Sequence, residues 1–113
     1  MKNYLLLYSG GMMPETDTER KAITDEWNAW YSKNGKYVVD QGNPFTPLAK
    51  NITANGRIHD GPDGCMASGY SIIKADSLDS AVAIAKNCPV LKSGASISVF
   101  ETFDAMGAAQ ARH

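Results

Sequence analysis

The sequence predicts a ferredoxin-like α+β fold, βαββαβ with a small hairpin insertion, in which a four-stranded antiparallel sheet carries two helices on one face. Three observations predict it. Two apolar, strand-like runs, KNYLLLY at 2–8 and GYSIIKA at 69–75, each lead into a stretch with helical apolar spacing. A further strand pattern follows each helix, so the chain reads as two βαβ halves, around 2–41 and 69–103. Between the halves, Asn55-Gly56 supplies the turn chemistry of an inserted hairpin.

The first strand is apolar on both alternating faces: Tyr4, Leu6 and Tyr8 on one, Leu5 and Leu7 on the other. A strand wet on one side carries only one such set, so both faces are expected to be covered. The first helix is announced by Thr16-x-x-Glu19, a capping-box pattern in which each side chain satisfies an orphan backbone donor. Its apolar residues Ile23, Trp27, Trp30 and Tyr31 share one face. Gly35 is expected to close it in the left-handed conformation.

Tyr37 to Gln41 reads as a short strand, broken by Gly42, Asn43, Pro44 and Pro47. Lys50 to Ala54 and Arg57 to His59 are the expected hairpin arms about a two-residue turn. After the strand at 69–75, Ser77 caps a second helix with apolar positions Leu78, Ala81, Val82, Ala85 and Cys88, stopped by Pro89. SISVFETF at 96–103 alternates as a last strand, and the alanine-rich tail at about 104–113 is expected to fray.

With 113 residues, 43% hydrophobic and 20% charged, the chain is expected to form a single domain over 1–113. A net charge of −1 and a pI near 6.0 provide no basic field for nucleic acid or an anionic membrane. Cys65 and Cys88 form neither a C-x-x-C pair nor a zinc-like cluster, which fits reduced thiols. The run Tyr4 to Tyr8 is too short for a signal peptide or a membrane span, so the expected location is the cytoplasm. A sheet with both helices on one face leaves the other bare. A second copy packed sheet against sheet is the expected cover, giving a homodimer.

Taken together, several stretches resemble the YCII-related, or DGPF-domain, family: KNYLLLYSG, the Trp-containing helix running into NGKYVVDQGNP, the triplet Asp60-Gly61-Pro62, and GYSIIKADSLDSAVAIAKNCP with SISVFE. The resemblance covers residue 2 to about 103. It implies a dimeric ferredoxin-like α/β barrel, a fold shared with muconolactone-isomerase-like enzymes and small monooxygenases, and it implies little about the reaction. The sequence departs from the family at two places. Some branches carry a histidine on the first helix, where Thr24 stands here, and the DGPF branch has phenylalanine where Asp63 follows the proline.

Among candidate site residues, His59 is the one histidine outside the tail and so the natural group for proton transfer near neutrality. Asp60 is its sequence neighbour, but strand neighbours point to opposite faces, so the orienting acid would come from elsewhere, such as Asp40 or Glu26. The bland reading of His59 is a surface histidine at a hairpin end. Asp60-Gly61-Pro62-Asp63-Gly64 is turn chemistry, yet the stretch RIHDGPDGCMASGY at 57–70 is longer than a connection requires, and such loops collect function.

Trp27, Trp30 and Tyr31 are either core or the wall of an aromatic pocket, with Tyr70 and the 59–64 loop beside them and Tyr8, Ser9 and Asn43 as polar neighbours. Ser9-Gly10-Gly11 lacks the spacing of a phosphate-binding loop. GYSIIKA lacks the aromatic and basic pattern of an RNA-binding sheet. No Ser-His-Asp elbow, H-E-x-x-H or EF-hand spacing occurs, so neither metal nor cofactor is expected.

The functional expectation is a homodimer with a small-molecule pocket that acts as a cofactor-independent isomerase or lyase. His59 and Asp60 are its candidate catalytic residues, and Trp27, Trp30, Tyr70, Tyr8, Asn43 and Asp40 its candidate binding residues. The alternative is a non-catalytic dimer that binds a metabolite or a protein and regulates.

Overall fold

The computed structural model describes residues 1–11, 15–61 and 67–104. The strands are β1 (Lys2–Ser9), β2 (Val38–Asp40), β3 (Lys50–Ile52), β4 (Ile58–Asp60), β5 (Ala67–Ala75) and β6 (Ser96–Glu101); the helices are α1 (Asp17–Asn34) and α2 (Leu78–Ala85). Four strands form one antiparallel sheet in the order β2-β5-β1-β6, and β3 and β4 pair separately as a hairpin. The architecture is the expected ferredoxin-like α+β arrangement. Of the tail expected at about 104–113, all but Asp104 lies outside the described residues.

Register shows why this sequence fills a sheet with two different faces. Leu6 sits between Ser71 of β5 and Val99 of β6, and Tyr4, Leu6, Tyr8, Ser71 and Ile73 share the face that both helices cover. On that side Trp30 of α1 and Ala81 and Ala85 of α2 complete a core with Ala75 and Cys88. On the other face Leu5 lies between Ile72 and Phe100, and Phe100 is half exposed. Leu5, Leu7 and Ile72 are only half buried in the protomer, where the sequence pattern called for full cover.

Local signals place the helices. Thr16 Oγ1 accepts the Glu19 amide at 3.0 Å, while Glu19 Oε2 accepts the amide of Glu15 at 3.0 Å, so the reciprocal arm of the capping box reaches one residue further back than expected. Ser77 Oγ caps α2 by accepting the Ser80 amide at 3.1 Å. Gly35 differs from the expectation: at φ −53° it stays right-handed and opens a 3₁₀ turn over Gly35–Tyr37 that leads into β2. A tightened last turn carries the chain on where a left-handed residue would have turned it away. Pro89 likewise stops α2 only to start a second 3₁₀ turn, Pro89–Ser93.

The hairpin is present, but its turn is longer than the expected two residues. The Thr53 amide donates to the Arg57 carbonyl at 2.9 Å and the Gly56 amide to the Thr53 carbonyl at 2.9 Å, with Gly56 at φ +84°. This is a three-residue loop whose glycine occupies the left-handed position.

Candidate functional site

The α1 residues Ile23, Thr24, Trp27, Asn28 and Tyr31 fall at i, i+1, i+4, i+5 and i+8, a single stripe on the helix. That stripe forms one wall of a cavity of about 520 Å³, within the roughly 300–1,000 Å³ typical of small-molecule sites. Tyr8 at the end of β1 and Ser71 of β5 line it from the sheet. The segment Gln41 to Pro44 forms a lip, and Pro89, Val90, Lys92 and Ser93 of the second 3₁₀ turn close the far side.

Three rings define the apolar wall. Trp27 meets Tyr8 edge-on with centroids 5.9 Å apart, and Tyr31 lies against Trp27 at 5.5 Å with the ring planes tilted by 31°. Beneath them runs a chain of hydroxyls. Tyr8 Oη donates to Ser71 Oγ at 2.8 Å, Ser71 Oγ donates to the Gln41 carbonyl at 2.8 Å, and Tyr31 Oη donates to the same carbonyl at 3.3 Å. Cys88 Sγ lies 3.8 Å from Tyr8 Oη. Burial pushes the Tyr8 phenol well above its ordinary range and raises the Cys88 thiol and the Tyr31 phenol. These groups therefore stay protonated at neutral pH and act as hydrogen-bond donors.

The structure brings some of the sequence candidates together and leaves others apart. Tyr8, Trp27, Asn43 and Tyr70 line the cavity. Tyr70 belongs to the opposite sheet face by strand alternation, where Phe45 stacks on its ring at 6.0 Å. Trp30 is core, 4% exposed, with its indole N–H donating to the Ile84 carbonyl at 3.4 Å. Asp40 is exposed and holds the loop after β2, accepting the Gly42 amide at 2.8 Å and the Tyr70 hydroxyl at 3.5 Å.

His59 and Asp60 stand on β4 of the hairpin, exposed and outside the lining of the cavity. His59 pairs with Asn51 across the hairpin, and the Asp60 carboxylate meets the Lys50 ammonium at 2.8 Å. Of the 59–64 loop, residues 62–64 lie outside the described residues, as does Cys65.

Sequence reasoning overlooked Asn28, Gln41, Ser71, Lys92 and Ser93 as lining residues and passed over Thr24. Thr24 lines the cavity from α1. Asn28 was recoverable from the helix, being one residue past Trp27 on the same stripe. Ser71 also left a signal, a small hydroxyl inside the apolar run GYSIIKA. Among the described residues no cluster of metal-ligating side chains occurs, and no helix is long and apolar enough to cross a membrane.

The chain is similar in structure to the 5-chloro-2-hydroxyhydroquinone dehydrochlorinase of Burkholderia phenoliruptrix, solved in complex with 2,5-dihydroxybenzoquinone. The TM-score is 0.55 at 17% sequence identity, over 93% of this chain and 97% of that one. At that identity the likeness carries the fold alone. No family model matches the sequence, and no curated protein matches it.

Proposed function

We propose that this protein is a YCII-like homodimer that binds a small organic molecule in the cavity between α1 and the sheet. One observation carries the reading: the described lining combines an aromatic wall with hydroxyl and amide groups and contains no carboxylate or imidazole. Such a surface recognises a flat ligand and orients it by hydrogen bonds. It offers neither of the side-chain types, carboxylate and imidazole, that most often move protons near neutral pH. Binding is thus the better-supported of the two expected activities.

The homodimer rests on the outer sheet face. Leu5, Leu7, Ile72 and Phe100 form an apolar patch there, and a second copy supplies a face of the same shape.

A second reading, a cofactor-independent isomerase or lyase, draws on the fold likeness to a dehydrochlorinase. In it His59, oriented by Asp60 or Asp40, transfers the proton. Because His59 is exposed on the hairpin, this reading requires a partner subunit to bring its hairpin to a cavity.

Thermal shift against a metabolite library tests both. A ligand at a hundred times its Kd adds about 2.7 kcal/mol to stability. Under the binding reading a compound raises the melting temperature of wild type and His59→Ala alike and not that of Trp27→Leu. A response lost in His59→Ala favours the catalytic reading. If no compound moves the wild type, the cavity is not a ligand site.

A further inference from the structure

Lys92 contributes the one charged side chain to the described lining of the cavity, and no lining residue carries a negative charge. Its ammonium lies 3.0 Å from Glu26 Oε1, with the lysine side chain 73% exposed and the glutamate 40%. Glu26 itself is not part of the lining, so the partner of the Lys92 ammonium comes from outside the cavity. Across the same space stand the Trp27 and Tyr31 rings, with Thr24 and Asn28 on the same helical stripe.

From this juxtaposition of an aromatic wall and a single cation we infer that the ligand is a flat, conjugated monoanion, its ring laid on Trp27 and its carboxylate or phenolate on Lys92. The inference rests on the reading of this cavity as a ligand site and deepens it. Aromatic faces select flat, apolar bodies, and a saturated ring of equal size loses that stacking. The ammonium selects charge. An incoming anion finds one positive partner and no like charge among the lining groups, so the sign of the preference follows directly.

Glu26 holds the Lys92 ammonium that the ligand's anion would take. Binding therefore exchanges the Glu26 carboxylate for the ligand's anion, and Glu26 weakens the site both by competing for Lys92 and by repelling that anion. Removing Lys92 and removing Glu26 must act in opposite directions. An uncharged ligand responds to neither change.

The test uses the two tryptophan indole N–H signals in NMR titrations of the full chain at neutral pH, with Trp27→Phe assigning the signal that faces the cavity. The probes are benzoate and 2-naphthoate, the neutral benzamide and 2-naphthamide, and cyclohexanecarboxylate as the saturated acid. At least one aromatic acid is expected to bind roughly fivefold tighter than its amide, equal to about 1 kcal/mol, the upper size for a screened ion pair. It should also bind more tightly than the saturated acid. Lys92→Met brings the acid to the affinity of its amide, and Glu26→Gln tightens the acid severalfold while leaving the amide unchanged.

Equal binding of acid and amide in the wild type, or an acid preference that survives Lys92→Met, overturns the monoanion inference and leaves the pocket standing. A saturated acid that binds as well as the aromatic ones overturns the flat-ligand half. If no probe moves the Trp27 signal, inference and pocket reading fall together.

Discussion

Gly42 is the residue on which the lip of the cavity turns. It sits at φ +69°, and a Cβ added there would overlap the carbonyl oxygen of Tyr70 in the neighbouring strand. Gly42→Ala is expected to destabilise the protein by at least about 2 kcal/mol, since backbone strain and a backbone clash act together. Denaturant melts of the two proteins check this. Tyr8 and Cys88 make a second residue-scale prediction. Burial raises both pKa values above their ordinary 10.0 and 9.0, so the folded chain retains protons that the unfolded chain gives up as pH rises. The stability that depends on these groups is complete below pH 9.0 and declines above it, first through the thiol and then more steeply above 10.0 through the phenol. Urea melts from pH 8 to 11 should show the decline, and Cys88→Ala should delay its onset. A stability that stays flat through pH 11 would sink the assignment.

At the scale of elements, the hairpin and the sheet differ in what holds them. β1 is hydrogen-bonded on both edges, to β5 and to β6, and its inward side chains are sealed beneath the helices. The hairpin has three residues per arm, and its facing pair Ile52 and Ile58 is 69% and 64% exposed. An isolated two-stranded hairpin is marginal in water. In a monomeric sample, amide exchange is therefore expected to be orders of magnitude faster at Thr53 than at Leu6 or Ile73, because local opening suffices for the first and near-global unfolding is needed for the others. Equal protection at these sites would show that the hairpin folds as one unit with the sheet.

The whole molecule shows an imbalance between its two sheet faces. One is buried under α1 and α2, and the other presents Leu5, Leu7, Ile72 and Phe100 as a continuous apolar stripe. Under the proposed dimer, sedimentation velocity gives a two-chain particle for the wild type and a one-chain particle for Leu5→Asp. Far-UV circular dichroism should be unchanged at low temperature, because Leu5 points away from the protomer's core. A wild type that sediments as a monomer at high concentration removes the dimer. A Leu5→Asp protein that remains dimeric moves the contact to another surface.

The elements were legible because each has a local cause. Thr16-x-x-Glu19 and Ser77 cap their helices through bonds spanning three residues, and the alternation in KNYLLLY and GYSIIKA assigns sheet faces without reference to the rest of the chain. The hairpin was legible from Asn55-Gly56, but its loop length was not, since that depends on the pairing of Thr53 with Arg57. Gly35 misled because glycine permits the left-handed conformation without requiring it, and the continuation into β2 decides between them. The cavity was the least legible feature. Tyr8, Thr24, Gln41, Ser71 and Lys92 lie on five separate segments, and no spacing in the sequence relates them. His59 drew attention by its chemistry alone, and its exposure depends on where the hairpin projects. Sequence by itself determined the elements and their inward faces, because backbone bonding and periodicity act locally. Only the tertiary structure decided which side chains share a space, because that follows from how the sheet and helices close around one another.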